Sequence, residues 1–210
     1  MPGHPPSVLA GALALVLACT AMGCSSSASD STSTPSSPAQ PAGASGFDGA
    51  ALPSPGVAVR DFTLTDQAGR PTTLSRLRGQ VAIVAFPYST CGAPCVVIAQ
   101  QIRGALDELA VPVAVLMVSA DPQADTRASV KRFLARASLT GRVRYLTGTL
   151  AQLRRVWRFF RVVPASAGRA RFARFASVFL VDRAGRERVI YQLEQLTPEA
   201  LAHDVRKLLG

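Results

Sequence analysis

The chain reads as an α/β protein: a central mixed sheet with helices on both faces and a β-hairpin at its N-terminal side. Three observations lead there. VAIVAF within 80–86 and VPVAVLMVS at 111–119 are unbroken apolar runs of strand length, as strands covered on both faces require. Stretches of helical period begin at Pro94, Thr126 and Thr149. Short β-prone segments flank the turn sequences DQAG at 66–69 and DRAG at 182–185, which makes a hairpin at each end.

In order, Asp61–Leu64 and Pro71–Leu74 pair as the first hairpin, and 80–86 is the first central strand. The helix opened by Pro94 places Ile98, Ile102, Ala105, Leu106 and Leu109 on one face. A second buried strand at 111–119 precedes a helix over 126–137 with Val130, Phe133, Leu134 and Ala137 inward, capped by Asp125 or Thr126. A short strand at 142–146 leads to a helix over 149–160 that aligns Leu150, Leu153, Trp157 and Phe160. Ser177–Val181 and Glu187–Tyr191 close the sheet. Thr197 caps a last helix, begun by Pro198, with Leu201, Val205, Leu208 and Leu209 inward. The order ββ, βαβαβα, ββα builds one domain over 57–210.

Upstream, Val8–Gly23 is apolar, ends at Cys24 and is followed by three serines, the pattern of a bacterial lipoprotein signal. The run is shorter than the roughly 20 residues of a membrane-spanning helix. Residues 1–23 are therefore expected to be cleaved and Cys24 lipidated. Cys19, after Val16, Leu17 and Ala18, is the competing site, and an uncleaved anchor is the remaining alternative. Each places the domain at the extracytoplasmic face of the bacterial membrane. Residues 24–56, rich in Ser, Pro and Ala, are expected to form a flexible tether.

The 23 basic and 13 acidic residues give a net charge of +10, and every Lys and Arg lies at or after Arg60. Local clusters occur at Arg154, Arg155, Arg158 and Arg161, and at Arg169, Arg171 and Arg174. No long Lys/Arg run or aromatic-rich binding motif accompanies them, so nucleic acid is not an expected partner. The charge suits an anionic membrane or an acidic protein.

With two of the four cysteines in the leader, Cys91 and Cys95 remain. They lie in FPYSTCGAPC, between a buried strand and a Pro-started helix, where chemistry collects in open α/β sheets. A bridge across so few residues clamps little chain, so the pair is better suited to chemistry than to stapling. Cys91, in the loop beside the positive helix end, is the expected attacking thiol, and Cys95, in the first turn, the resolving one. A peroxide-reducing site would want Thr three residues before the reactive cysteine; Tyr88 and Gly92 stand there.

DFTLTDQAGRPTTLSRLRGQ, FPYSTCGAPC, VSADPQADT, LTGTLAQLRRVW and SVFLVDRAGR, in that order, resemble successive segments of the SCO/SenC family. The resemblance implies a thioredoxin-like fold. It implies copper delivery to the binuclear copper centre of cytochrome c oxidase, or reduction of that centre's cysteines. It also implies copper held by Cys91, Cys95 and a histidine, but the family register puts Arg174 at the histidine's place, and AGRARFARFASV contains no His. The only histidines are His4 and His203, the latter expected on the surface of the last helix. Two functions are therefore expected of one site: thiol–disulfide exchange with a cysteine-bearing client, such as an oxidase subunit, and handling of copper. Cu(I) suits two thiolates better than Cu(II) does. The alternative is a cell-envelope thiol–disulfide oxidoreductase with no copper role.

Overall fold

The computed structural model describes residues 46–210. The expected signal over 1–23, the lipidation candidates Cys24 and Cys19, and the first part of the expected tether lie outside those residues. Among the described residues, no helix is long and apolar enough to cross a membrane.

The sheet has the order β1-β9-β8-β5-β6-β7, where β1 is Ala50–Ala51, β5 Ala82–Ala85, β6 Ala114–Val118, β7 Arg144–Leu146, β8 Ser177–Val181 and β9 Arg186–Gln192. β5, β6 and β7 are parallel, β8 runs antiparallel to β5, and β9 runs antiparallel to β8, so the sheet is mixed as expected. β2, Val57–Ala58, also pairs with β9, and β3, Thr63–Thr65, with β4, Pro71–Thr73, forms a separate hairpin tied to the sheet by a bridge between Thr65 and Thr147.

Alternation along β5 sends Val81, Ile83 and Ala85 to one layer and Ala82, Val84 and Phe86 to the other. The first layer packs α1 (Ala93–Glu108), α2 (Arg127–Arg136) and α5 (Pro198–Leu209) through Ile98, Ile102, Phe133, Leu201 and Val205. The second packs α3 (Leu150–Phe159) and the hairpin through Leu153, Trp157, Leu64 and Leu74. Arg188 is an extra residue in β9: Leu180 pairs with Val189 but Val181 with Glu187. Such a bulge turns the strand, and Glu187 is fully buried against Arg161 at the end of α3. Burial holds the Glu187 carboxyl above its ordinary range, opposed by the guanidinium.

Three expectations need correction, and one open choice is decided. The tether does not extend to residue 56: Ala50 and Ala51 pair with Ile190 and Val189, and Val57 and Ala58 with Glu187 and Arg186. Residues 47–49 are fastened to α5, where the buried Asp204 accepts from the N–H groups of Asp48 (2.9 Å) and Gly49 (3.0 Å) and from the Tyr191 hydroxyl. Gly49 is required there, since a Cβ would meet Val189 at 2.5 Å and the Tyr191 ring at 2.8 Å. Second, the element order read from the sequence omits a helix before β8: Arg169–Arg174 forms α4, which buries Phe172. Third, the cap of α2, left open between two residues, is Thr126, whose hydroxyl accepts from the Ser129 N–H, while Asp125 turns inward. Fourth, Leu150 is 44% exposed, because the inner face of α3 begins only at Leu153.

Candidate functional site: a dithiol at the end of a central strand

β5 ends at Ala85, and the seven residues from Phe86 to Gly92 carry the chain over the sheet edge into α1. That passage is fastened at each step. Pro87 C=O accepts from the Ala120 N–H (2.9 Å) and the Tyr145 hydroxyl (3.3 Å), and Tyr88 C=O accepts from the Cys91 N–H (3.1 Å). The Ser89 N–H donates to Asp125 Oδ1 at 2.6 Å. Gly92 then turns with φ of +83°, a left-handed conformation that costs glycine little. A Cβ there would meet nothing within 4 Å, so the requirement is conformational rather than steric. Pro94 occupies the opening turn of α1, as expected.

Cys91 and Cys95 are joined in a disulfide with Cα atoms 5.9 Å apart, within the ordinary range for such a bond. Cys95 is 1% exposed and belongs to the core, whereas Cys91 is only partly buried at its edge. The turn at Gly92, the residue before α1, brings the sulfurs together in a way that two positions inside a regular helix would not. The less buried partner, Cys91, is the one a second molecule can reach.

Asp125 was read from the sequence only as a cap candidate, yet it organises the floor of this loop. Besides the Ser89 N–H, it accepts from the Ser119 hydroxyl (2.6 Å) and the Tyr145 hydroxyl (2.7 Å). Burial raises its carboxyl above the ordinary range, against the pull of those three donors. The Tyr145 hydroxyl, buried and facing that carboxylate, is pushed well above its usual value. The sequence signal was Ser119 at the end of an otherwise apolar strand and Asp125 in the polar loop that follows it.

α4 stands beside the same loop: the Phe172 ring meets the Tyr88 ring edge-on at 4.9 Å. Arg174, in the last turn of α4, is exposed and makes no ion pair among the described residues. His203 is remote from this chemistry in its contacts. Its Nδ1 lies 3.0 Å from Asp48 and 3.1 Å from Asp204, within the N-terminal clasp. Among the described residues that trio is the one group of three His, Cys, Asp or Glu ligand atoms within 4.8 Å of one another, so no third ligand of these types joins the two sulfurs.

The SCO1/SenC family model matches residues 51–210. The chain belongs to the SCO1/SenC family. Among solved SCO proteins, Bradyrhizobium japonicum ScoI with copper bound is 28% identical, covering 72% of this chain and 99% of its own, with a TM-score of 0.56. A SCO1/SenC family lipoprotein of Bacillus anthracis is 20% identical over 74% of this chain and 97% of its own, with a TM-score of 0.62. BsSco, described as a member of the Sco family of cytochrome c oxidase assembly proteins with a disulfide switch, is 23% identical over 73% of this chain and 94% of its own, at 0.63. A comparison with curated protein sequences finds no match. The thioredoxin-like fold expected from the SCO resemblance is thus the fold this chain has, with its mixed sheet and helices on both faces.

Proposed function

We propose that this SCO protein is an extracytoplasmic, lipid-anchored dithiol protein that exchanges disulfides with a cysteine-bearing client and handles Cu(I) during assembly of the oxidase copper centre. The observation that carries the reading is the disulfide between a reachable Cys91 and a buried Cys95 at the start of α1. In the reduced protein, the Cys91 thiolate attacks one sulfur of a client disulfide, and the client's other sulfur leaves as a thiolate. Cys95, deprotonated, then attacks Cys91, the second client thiolate leaves, and the protein ends in the disulfide form described above. Two electrons pass to the client. The N–H groups at the opening of α1 and its positive end favour the thiolate form of Cys91.

The same two sulfurs, reduced, suit Cu(I) as cargo, since soft thiolates favour it and two of them suffice for a low-coordinate site. Bradyrhizobium japonicum ScoI, solved with copper, supports copper handling. The second reading, exchange without copper, is favoured by Arg174 at the place of the family's histidine and by the lack, among the described residues, of a third His, Cys, Asp or Glu ligand beside the two sulfurs.

Replacing Cys95 by Ser should trap a mixed disulfide with the client, recovered on non-reducing gels, while Cys91→Ser should trap none; the reverse pattern exchanges the two roles. Titrating the reduced protein with Cu(I) against a chromogenic chelator separates the two readings: binding lost in either variant supports copper handling, and no binding in the native protein leaves exchange alone. Mass spectrometry of the membrane fraction should find a chain that begins at a lipidated Cys24. An intact Met1, or a lipid on Cys19, overturns that assignment.

A further inference from the structure

On the sheet layer away from Cys95, α3 and the segment before β3 enclose a cleft of about 600 Å3 lined by Arg60, Asp61, Phe62, Arg155, Arg158 and Phe159, among others. Its charge is one-sided. Among the described residues, none of the three arginines forms an ion pair. The one carboxylate present, Asp61, is committed elsewhere: Oδ1 accepts from the N–H groups of Phe62 (3.0 Å) and Ser75 (2.8 Å), and Oδ2 from the Ser75 hydroxyl (2.7 Å). Its burial is slight, and those hydrogen bonds together with Arg78 keep its carboxyl below the ordinary range, so it stays a fixed acceptor of its own loop.

Arg155 and Arg158, from successive turns of one helix, and Arg60, from a separate segment, therefore line one hollow whose other walls are Asp61, Val156 and three phenylalanine rings; Arg158 Nε donates to Arg154 C=O at 3.3 Å, which leaves its terminal nitrogens for a ligand. Solvated arginines on a helix face do not need such a floor. Along the same helix, Leu150, Arg154 and Arg158 succeed one another at intervals of four, so an exposed apolar residue continues the cationic stripe. Arginine matches phosphate oxygens with paired donors. A phosphate group that carries an apolar arm would satisfy the cations and cover Phe62 and Phe159 together.

We infer that this cleft binds the phosphate of an anionic phospholipid, with Arg60, Arg155 and Arg158 on the headgroup and Phe62 and Phe159 against the adjoining acyl surface. The occupant is a lipid rather than a polyanion because Phe62 and Phe159 line the cleft beside the arginines, a surface that an acyl arm covers and a polyanion does not. The inference rests on the anchored reading only in that a lipid on Cys24 keeps the domain beside a bilayer. Docking through α3 leaves Cys91 open, since Val156 and Phe160 of the cleft belong to the layer opposite that of Cys95.

The test uses the full chain and vesicles of phosphatidylcholine, alone or mixed with phosphatidylglycerol. Amide exchange in 60–62 and 150–160 should slow only on the mixed vesicles, and the protection should fade as salt rises. Each arginine removed should weaken binding about fivefold, and all three roughly a hundredfold. The variant Arg155→Gln/Arg158→Gln should lose the protection, whereas Arg169→Gln/Arg171→Gln, with the same charge removed elsewhere, should keep it. Cys24→Ser removes the expected lipid: persistence of the phosphatidylglycerol preference in that variant supports the cleft even where anchoring fails. Equal protection on both vesicles, equal loss in the two double variants, or the same protection from glycerol phosphate alone in neutral detergent would overturn the proposal. Reaction of the dithiol with a small disulfide should be unchanged throughout, which reports that each variant is folded.

Discussion

A neutral imidazole at position 174 would offer a metal a nitrogen; the guanidinium that stands there offers only donors and a permanent positive charge. If it faces the sulfurs, metal affinity and thiol reactivity move in opposite directions, because a cation repels a metal ion and stabilises a thiolate. Arg174→His should therefore raise Cu(II) affinity and bring the Cys91 pKa up toward the ordinary thiol value of about 8.5, both measurable by titration. An unchanged value for both quantities refutes the inference for this position. At this scale the sequence was most legible where chemistry is local: Cys91, Gly92, Pro94 and Cys95 announce their arrangement by spacing alone. Asp204 announced nothing, because its partners Asp48 and Gly49 lie 156 and 155 residues away and its position reads as one polar residue of an amphipathic helix.

Among the elements, the buried strands and the long helices followed from their periods, whereas α4 did not. Six residues complete fewer than two turns, and one inward Phe172 among three arginines sets no period. Its place is decided by the Tyr88 ring, which the sequence cannot bring alongside. The cap of α2 stayed open between Asp125 and Thr126 in the sequence, since that competition is settled by which of them finds donors in the core. Asp125→Ala would strip an acceptor from the Ser89 N–H and from two buried hydroxyls, for a loss of about 2–4 kcal/mol. It should also loosen Ser89, two residues before Cys91, and so alter the rate of thiol exchange. The pH dependence has a definite sign. A carboxyl whose folded value is raised favours the folded state below its unfolded value of 3.8, and that contribution is lost as pH rises through the folded value. Asp125→Asn should therefore lessen the fall in stability on that rise, as measured by denaturant unfolding at several pH values. A variant with the same pH profile as the native protein would show that Asp125 does not titrate with folding.

For the whole molecule, the division of β5 and β6 between two layers explains how one domain keeps a redox loop and a cationic cleft apart: successive side chains of the same strands floor opposite faces. The sequence made that division visible, but not the strands that close the sheet. β1 and β2 are two residues each, too short for any alternation, and they exist because β9 offers an unpaired edge and Asp204 holds the incoming chain against it. Asp204→Ala should release residues 47–51, lower stability by about 2–4 kcal/mol and expose the Ala50 and Ala51 amides to exchange, while leaving dithiol reactivity as it was. Full retention of their protection would show that the pairing with β9 alone is sufficient. The clasp also determines where mechanical load enters the domain. A pull on the chain from the direction of its N-terminus arrives first at Phe47–Gly49, where two backbone N–H groups grip one buried carboxylate. The two-residue ladder behind them would peel one bond at a time. Drag on the domain is therefore borne by α5 and the far edge of the sheet, and the strand that delivers Cys91 stays out of the line of force.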